Sequence, residues 1–202
     1  MICLAFDCSG DDILVAVVDG DKQHETVKKD ASGTEFLMET IKETLNKANI
    51  KTSDVECLAV GVGPGSWTGS RVAVVSALGL MCGMEKKPKL IKFDSFSMAM
   101  HNINKGTMVI KGFGNFVYVK KCGGEPEIIE KSKLINNSDY GTLYSTKPVG
   151  FETTIVENDL VSLTKNLLKS PCFIDENKLE PMYLRKSQAE IERDKKINGN
   201  KN

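Results

Sequence analysis

The sequence predicts an α/β protein with a mixed β-sheet followed by a second, smaller domain. Three patterns carry this. Short apolar runs flank Asp/Gly turns at the N-terminus, two helical stretches alternate with further short apolar runs, and a weaker strand-like pattern follows residue 104. With 202 residues, 41% of them hydrophobic and 27% charged, the chain can bury one sizeable core or two small ones.

The apolar run Met1 to Asp7, the continuous run Ile13 to Val18 and the segment Lys22 to Lys29 are separated by turn residues, among them Asp19-Gly20-Asp21. They read as an antiparallel meander of three strands, the second of them apolar on both faces and expected to be central. Ser32-Gly33-Thr34-Glu35 fits a capping box. Phe36, Leu37, Ile41, Leu45 and Ala48 then recur at helical spacing, with Glu39, Lys42, Glu43 and Lys47 between them. A fourth strand over Cys57 to Val62 runs into a glycine-rich loop and a helix over Ser70 to Met84. This helix carries almost no charge and many small residues, so it is expected to be covered on most sides, either by its own sheet alone or in part by another chain. A strand near Lys89 to Lys92 and a short helix capped by Asp94-Ser95 and running to His101 complete the first domain.

Beyond residue 104 the expected strands are Thr107 to Ile110, Phe116 to Lys120 and Glu127 to Glu130, with an amphipathic helix at Asn158 to Leu168. The division is therefore residues 1–104, then 105–202, the latter a smaller lobe with a C-terminal helix and a frayed tail.

Composition narrows the chemistry. The 27 Lys and Arg equal the 27 Asp and Glu, so no global positive field exists to hold a polyanion. No apolar run reaches the ~20 residues of a membrane span. The N-terminus has no basic leader, and a cytoplasmic location is expected. Six cysteines without a C-x-x-C pair read as small buried hydrophobes rather than a disulfide framework. Two histidines, His24 and His101, give a histidine-based metal site almost no material, and no metal is expected.

A strand that ends in a Gly/Pro/Ser/Thr loop and enters a helix presents unpaired N–H groups beside the positive helix end, an anion cradle. Equally, such glycines serve a tight strand-to-helix reversal, with Thr68 capping the helix. Ser70-Arg71 stand where a P-loop needs Lys-Ser, so a P-loop nucleotidase is excluded.

The string Gly63-Pro64-Gly65-Ser66-Trp67-Thr68-Gly69-Ser70-Arg71 resembles the G-P-G-S-[FW]-T-G-x-R signature of the TsaB family, also called YeaZ. Asp7-Cys8-Ser9 followed by Val15-Ala16-Val17 is similar to that family's D-T-S meander, with cysteine for threonine, and Ser32 with Glu35 resembles the start of its first helix. Pro181, Tyr183 and Arg185 resemble its closing P-x-Y-x-R. The likeness is dense over residues 1 to about 100 and patchy after that.

The resemblance implies an actin/Hsp70-like (ASKHA) fold of two lobes, each with a mixed β-sheet and helices, the second reduced. It implies a non-catalytic accessory subunit that supports TsaD, the catalytic subunit forming threonylcarbamoyladenosine (t6A) on tRNA, with the ATPase TsaE in the same assembly. tRNA would be reached indirectly through the complex. The partner surface would be the two helices, through Phe36, Leu37, Ile41, Leu45, Val72, Val75, Ser76, Ala77, Gly79, Leu80 and Gly83; alone, the same face would form a homodimer. No catalytic residue is implied. ATP or ADP at the complex interface is compatible with the family, and the signature-loop contacts would be Asp7, Ser9, Gly63, Pro64, Gly65, Ser66, Thr68, Gly69 and Arg71. The family's D-A-R stretch at the start of the second lobe is replaced by Lys111-Gly112-Phe113-Gly114-Asn115.

Individual residues carry alternatives of their own. Asp7 either caps its turn or approaches a bound phosphate or its metal. Arg71, a cation in a first helical turn, calls for a compensating carboxylate or anion. Trp67 is either a lid folded onto the core, the expected reading, or an exposed anchor for a partner. His101 complements a helix C-terminus, and the charged tail from Arg185 reads as a solvated, nearly neutral face. The competing function is a stand-alone hydrolase, either an actin-like ATPase or a peptidase. A peptidase lacks its nucleophile–base constellation here, and an ATPase would have one phosphate loop and one Asp.

Overall fold

The computed structural model describes residues 1–100, 103–185 and 193. His101 and most of the charged tail lie outside them.

Strands β1 (Ile2–Asp7), β2 (Ile13–Asp19) and β3 (Lys22–Lys28) form the expected antiparallel meander, with Asp7 opposite Leu14 and Ile13 opposite Lys28. Strands β4 (Cys57–Gly61) and β5 (Lys89–Phe93) add in parallel, giving the order β3-β2-β1-β4-β5. As expected, β2 is central in the meander, between β3 and β1, while β1 takes the middle of the five strands. Both strands are apolar on both faces, because both faces of the sheet are covered.

Helices α1 (Gly33–Ala48) and α2 (Trp67–Cys82) pack together on one face over a core that includes Leu4, Phe6, Leu37, Ile41, Leu58, Ala73 and Ala77. The other face is covered by α3 (Ser97–Met100) and α5 (Leu160–Lys169), through Met98, Leu160 and Leu163 against Ala5, Leu14 and Ile91.

Two caps differ from expectation. The Ser32 side chain caps nothing and bonds to Thr34 Oγ1 at 2.7 Å, so the capping box at α1 is not formed. At α2 the cap is Ser66, whose Oγ accepts from the Gly69 N–H at 3.2 Å. That starts the helix at Trp67 rather than Ser70, and Thr68 lies inside it.

The second sheet contains β6 (Thr107–Lys111), β7 (Phe116–Lys121), β8 (Pro126–Glu130), β9 (Leu143–Ser145) and β10 (Thr154–Ile155), in the order β10-β9-β6-β7-β8. Again an antiparallel meander is extended by two parallel strands, so the pattern of the first sheet is repeated. This doubled pattern is the actin-like architecture that the resemblance implied. The repeat is reduced: α4 (Lys131–Ile135) stands where the first lobe has α1, and residues 146–153 join β9 to β10 without a helix. Strands β9 and β10 and helix α4 carry too little periodicity to be read in sequence.

The two sheets meet through Phe96, Ala99, Met108 and Tyr118, all buried. After β10 the chain returns to the first lobe. Besides α5, Ile174 forms a β-bridge to Leu90, Leu179 enters the first-lobe core, and the Met182 N–H donates to the Val62 carbonyl at 2.7 Å. Among the described residues no helix is long and apolar enough to cross a membrane. All six cysteines are free, but only Cys3, Cys8 and Cys57 are buried; Cys82 and Cys172 are exposed.

Candidate functional site

The β1–β2 turn, the signature loop after β4 and the start of β6–β7 face one another across a cavity of about 420 Å³ between the lobes. Its lining includes Asp7, Ser9, Pro64, Ser66, Lys111 and Phe113. The sequence-predicted signature residues are thus largely brought together.

The β1–β2 turn and the signature loop are in direct backbone contact. The Ser66 N–H donates to the Ser9 carbonyl, the Cys8 thiol donates to the Gly69 carbonyl at 3.3 Å, and the Ser95 N–H donates to the Gly63 carbonyl at 2.8 Å. The Cys8 carbonyl lies where a Cβ on Gly69 would be, so this glycine permits the approach of two backbones. Of the two readings of the glycines, the close reversal is therefore realised in the chain itself.

Asp7 is 1% exposed. Its carboxylate accepts from the Ser9 Oγ at 3.0 Å and the Ser9 N–H at 3.3 Å, and Ser9 Oγ lies 2.7 Å from Ser95 Oγ. Asp7 does cap its own turn. Burial pushes its pKa up to about 6, against the Ser9 hydrogen bonds, which favour the ionised form. Burial, with the neighbouring Asp7 charge, pushes the Cys8 thiol up to about 12, so it is not a ready nucleophile. Among the described residues, no three His, Cys, Asp or Glu side chains converge as metal ligands.

Arg71 and Trp67 behave differently from expectation. The Arg71 Nε donates to the Tyr183 hydroxyl at 2.8 Å, and its guanidinium lies 4.9 Å from the Trp67 ring centre. Trp67 stacks on Tyr183 with centroids 3.9 Å apart and planes 17° off parallel. Among the described residues the cation is thus met by aromatic faces and a phenol, with no carboxylate, and Trp67 packs on the C-terminal segment instead of the core. The signature loop and the closing P-x-Y-x-R, 112 residues apart at Arg71 and Tyr183, form one cluster. Arg185 stacks over Phe113 of the second lobe at 4.9 Å.

The helical face needs correction residue by residue. Leu37, Ile41, Leu45 and Ala77 are at most 4% exposed and belong to the chain's own core, because α1 and α2 need them to cover the sheet. Phe36, Val75, Gly79 and Gly83 are exposed, while Val72, Ser76 and Leu80 are half-buried. Met38, absent from the sequence-based set, is 49% exposed, and Val75 is 66% exposed. Phe36 is partly covered by Lys28, whose Nζ lies 5.4 Å from its ring centre. At Gly79, among the described residues, nothing lies within 4 Å of an added Cβ, so no packing described in this chain asks for glycine there.

Comparison with known proteins adds two findings. Residues 31–107, from before α1 into β6, match the family model described as TsaD, tRNA N6-adenosine threonylcarbamoyltransferase. Among solved structures, YeaZ from Pseudomonas aeruginosa superimposes with a TM-score of 0.72 at 16% identity, covering 91% of this chain and 99% of that one. A second structure, of an uncharacterized Pseudomonas aeruginosa protein with similarity to peptidase YEAZ, gives the same values. The chain has the fold of these proteins over nearly its whole length.

Proposed function

We propose that this chain is a non-catalytic accessory subunit of the TsaB (YeaZ) kind, which binds and supports a TsaD-type transferase in t6A modification of tRNA. The observation that carries the reading is Gly79, an exposed glycine in the last turn of α2, one turn from the exposed Val75, where among the described residues nothing lies within 4 Å of an added Cβ. Glycine in such a position costs the helix about 1 kcal/mol relative to alanine. A second backbone approaching α2 closely would account for it, and the YeaZ-like fold and the matched family model supply the class of partner. Met38 and Phe36 on α1 widen the same surface. A TsaE-type ATPase and tRNA would be reached through the complex, and a homodimer would use the same face when the partner is absent.

The hydrolase alternative has one point in its favour, a buried aspartate at a cleft between lobes. Against it, Asp7 already spends its hydrogen bonds on Ser9. The test is light scattering of the purified chain mixed with the TsaD-type protein from the same source, alongside ATP turnover by each alone. A one-to-one complex without turnover by this chain is expected. Turnover that copurifies with this chain and is lost in Asp7→Ala would overturn the reading.

A further inference from the structure

Two lysines of the second lobe reach across to the first, and each meets an aspartate that is already holding a turn. Lys147, in the helix-less connection between β9 and β10, places Nζ 2.6 Å from Asp12 Oδ1 and 2.7 Å from Asp30 Oδ1. The same Asp12 oxygen accepts the Asp30 N–H at 2.9 Å, which holds Asp30 in the left-handed region at φ 50°. Lys147 thus joins the β1–β2 turn and the β3–α1 turn to the second lobe through one ammonium group. Lys120, on β7, places Nζ 2.7 Å from Asp94 Oδ2, while Asp94 Oδ1 accepts from the Ser97 N–H at the start of α3. The side chains of Lys120, Asp94 and Asp12 are 22%, 15% and 17% exposed, so Lys120–Asp94 and Lys147–Asp12 are better shielded than ordinary surface pairs, whereas Asp30 is 81% exposed and its pair with Lys147 is a surface one.

Asp12 and Lys147 both line the interlobe cavity, and Ser95 and Tyr118, neighbours of the second pair in sequence, line it too. The apolar contact through Phe96, Met108 and Tyr118 has no directional bonds, so it can serve as the pivot about which the lobes tilt. We infer that Lys147–Asp12/Asp30 and Lys120–Asp94 form a two-point electrostatic latch that holds the lobes closed over the cleft, so that releasing both pairs exposes the Asp7–Ser9 turn. In the reduced second lobe, the loop that replaces a helix between β9 and β10 supplies one of the two points. The inference concerns the closure of the cleft and is independent of which partner binds the helices.

The test is hydrogen exchange followed by mass spectrometry on wild-type protein, Lys147→Met, Lys120→Met and the double variant, at low salt and at 1 M NaCl. Exchange of peptides covering 7–14 and 107–113 is expected to quicken about tenfold in the double variant, with β4 unchanged. Lys147→Arg should restore protection when paired with native Lys120. In wild-type protein, 1 M NaCl should move the same peptides in the same direction, a readout that does not depend on any variant folding. Unchanged exchange in these peptides, or acceleration that includes β4 equally, would overturn the latch.

Discussion

The two lobes have the same strand order but not the same means of stability. In the first, two helices of 16 residues each lie between successive strands, and both faces of the sheet are covered. In the second, the corresponding places hold a helix of five residues and a loop. Its β10 is exposed at both residues, and Ile155 is 56% exposed. The second lobe still has a core of its own, with Val109, Val117, Val119, Leu134, Tyr140 and Val149 buried, but it is smaller than that of the first lobe, where long helices cover the sheet. The second lobe compensates by leaning on the first through Phe96 and the Lys147 and Lys120 pairs. The first lobe also takes α5 from the chain's later half.

The most disruptive way to break this contrast is Ala77→Glu, which forces a carboxylate into a site that is fully buried. A loss above about 4 kcal/mol is expected, seen as unfolding of the first lobe by circular dichroism, since an unpaired buried charge has no compensation. Such a variant would fail to bind partners because it fails to fold, and for that reason it does not test the interface. Phe96→Ala should cost about 3–5 kcal/mol and should strip exchange protection from the second sheet before the first. Equal loss in both sheets would contradict the dependence of the second lobe on the first.

Asp7 supplies a pH-dependent prediction. Its folded pKa is raised to about 6 from an ordinary value of 3.8, so the folded state binds more protons than the unfolded state between those values. Its contribution to stability is accordingly greatest below pH 3.8, declines as pH rises towards 6, and by pH 7 has fallen by about 3 kcal/mol. Asp7→Asn should remove that decline, measured as denaturation midpoints from pH 4 to 7 compared with wild type. A parallel pH profile in both proteins would refute the assignment. The smallest effect is expected from Tyr183→Leu, about 1 kcal/mol, with a shift in emission from Trp67, the single tryptophan of the chain. Unshifted emission would mean that the aromatic stack does not persist in solution.

The first lobe was legible because its signals are long. The apolar runs on either side of the Asp/Gly turns and the helical spacing of Phe36 to Ala48 identified the elements to within a few residues. The second lobe's β9 and β10, three and two residues long, fall below what any periodicity can register. The signature loop was legible as a motif, but its contact with Tyr183 was not, because a stacking pair 116 positions apart leaves no local pattern. Residue-level reading of the helical face missed Leu37, Ile41, Leu45 and Ala77 for a related reason. The spacing of Leu37, Ile41 and Leu45 marks an apolar stripe without saying whether its own sheet or a partner covers it, and here the sheet does. What identifies the remaining open strip is Gly79, whose freedom from neighbours appears only in three dimensions.

Gly79→Leu provides the most direct test of the central claim, because among the described residues nothing lies within 4 Å of a Cβ placed there. It should leave folding intact or raise stability by up to about 1 kcal/mol. Calorimetric titration against the TsaD-type protein should then show binding by wild type and its loss, or a weakening of at least about a hundredfold, in Gly79→Leu, as expected when a bulky side chain enters a close-packed interface. Undiminished affinity in the folded variant would contradict the placement of the partner on α2.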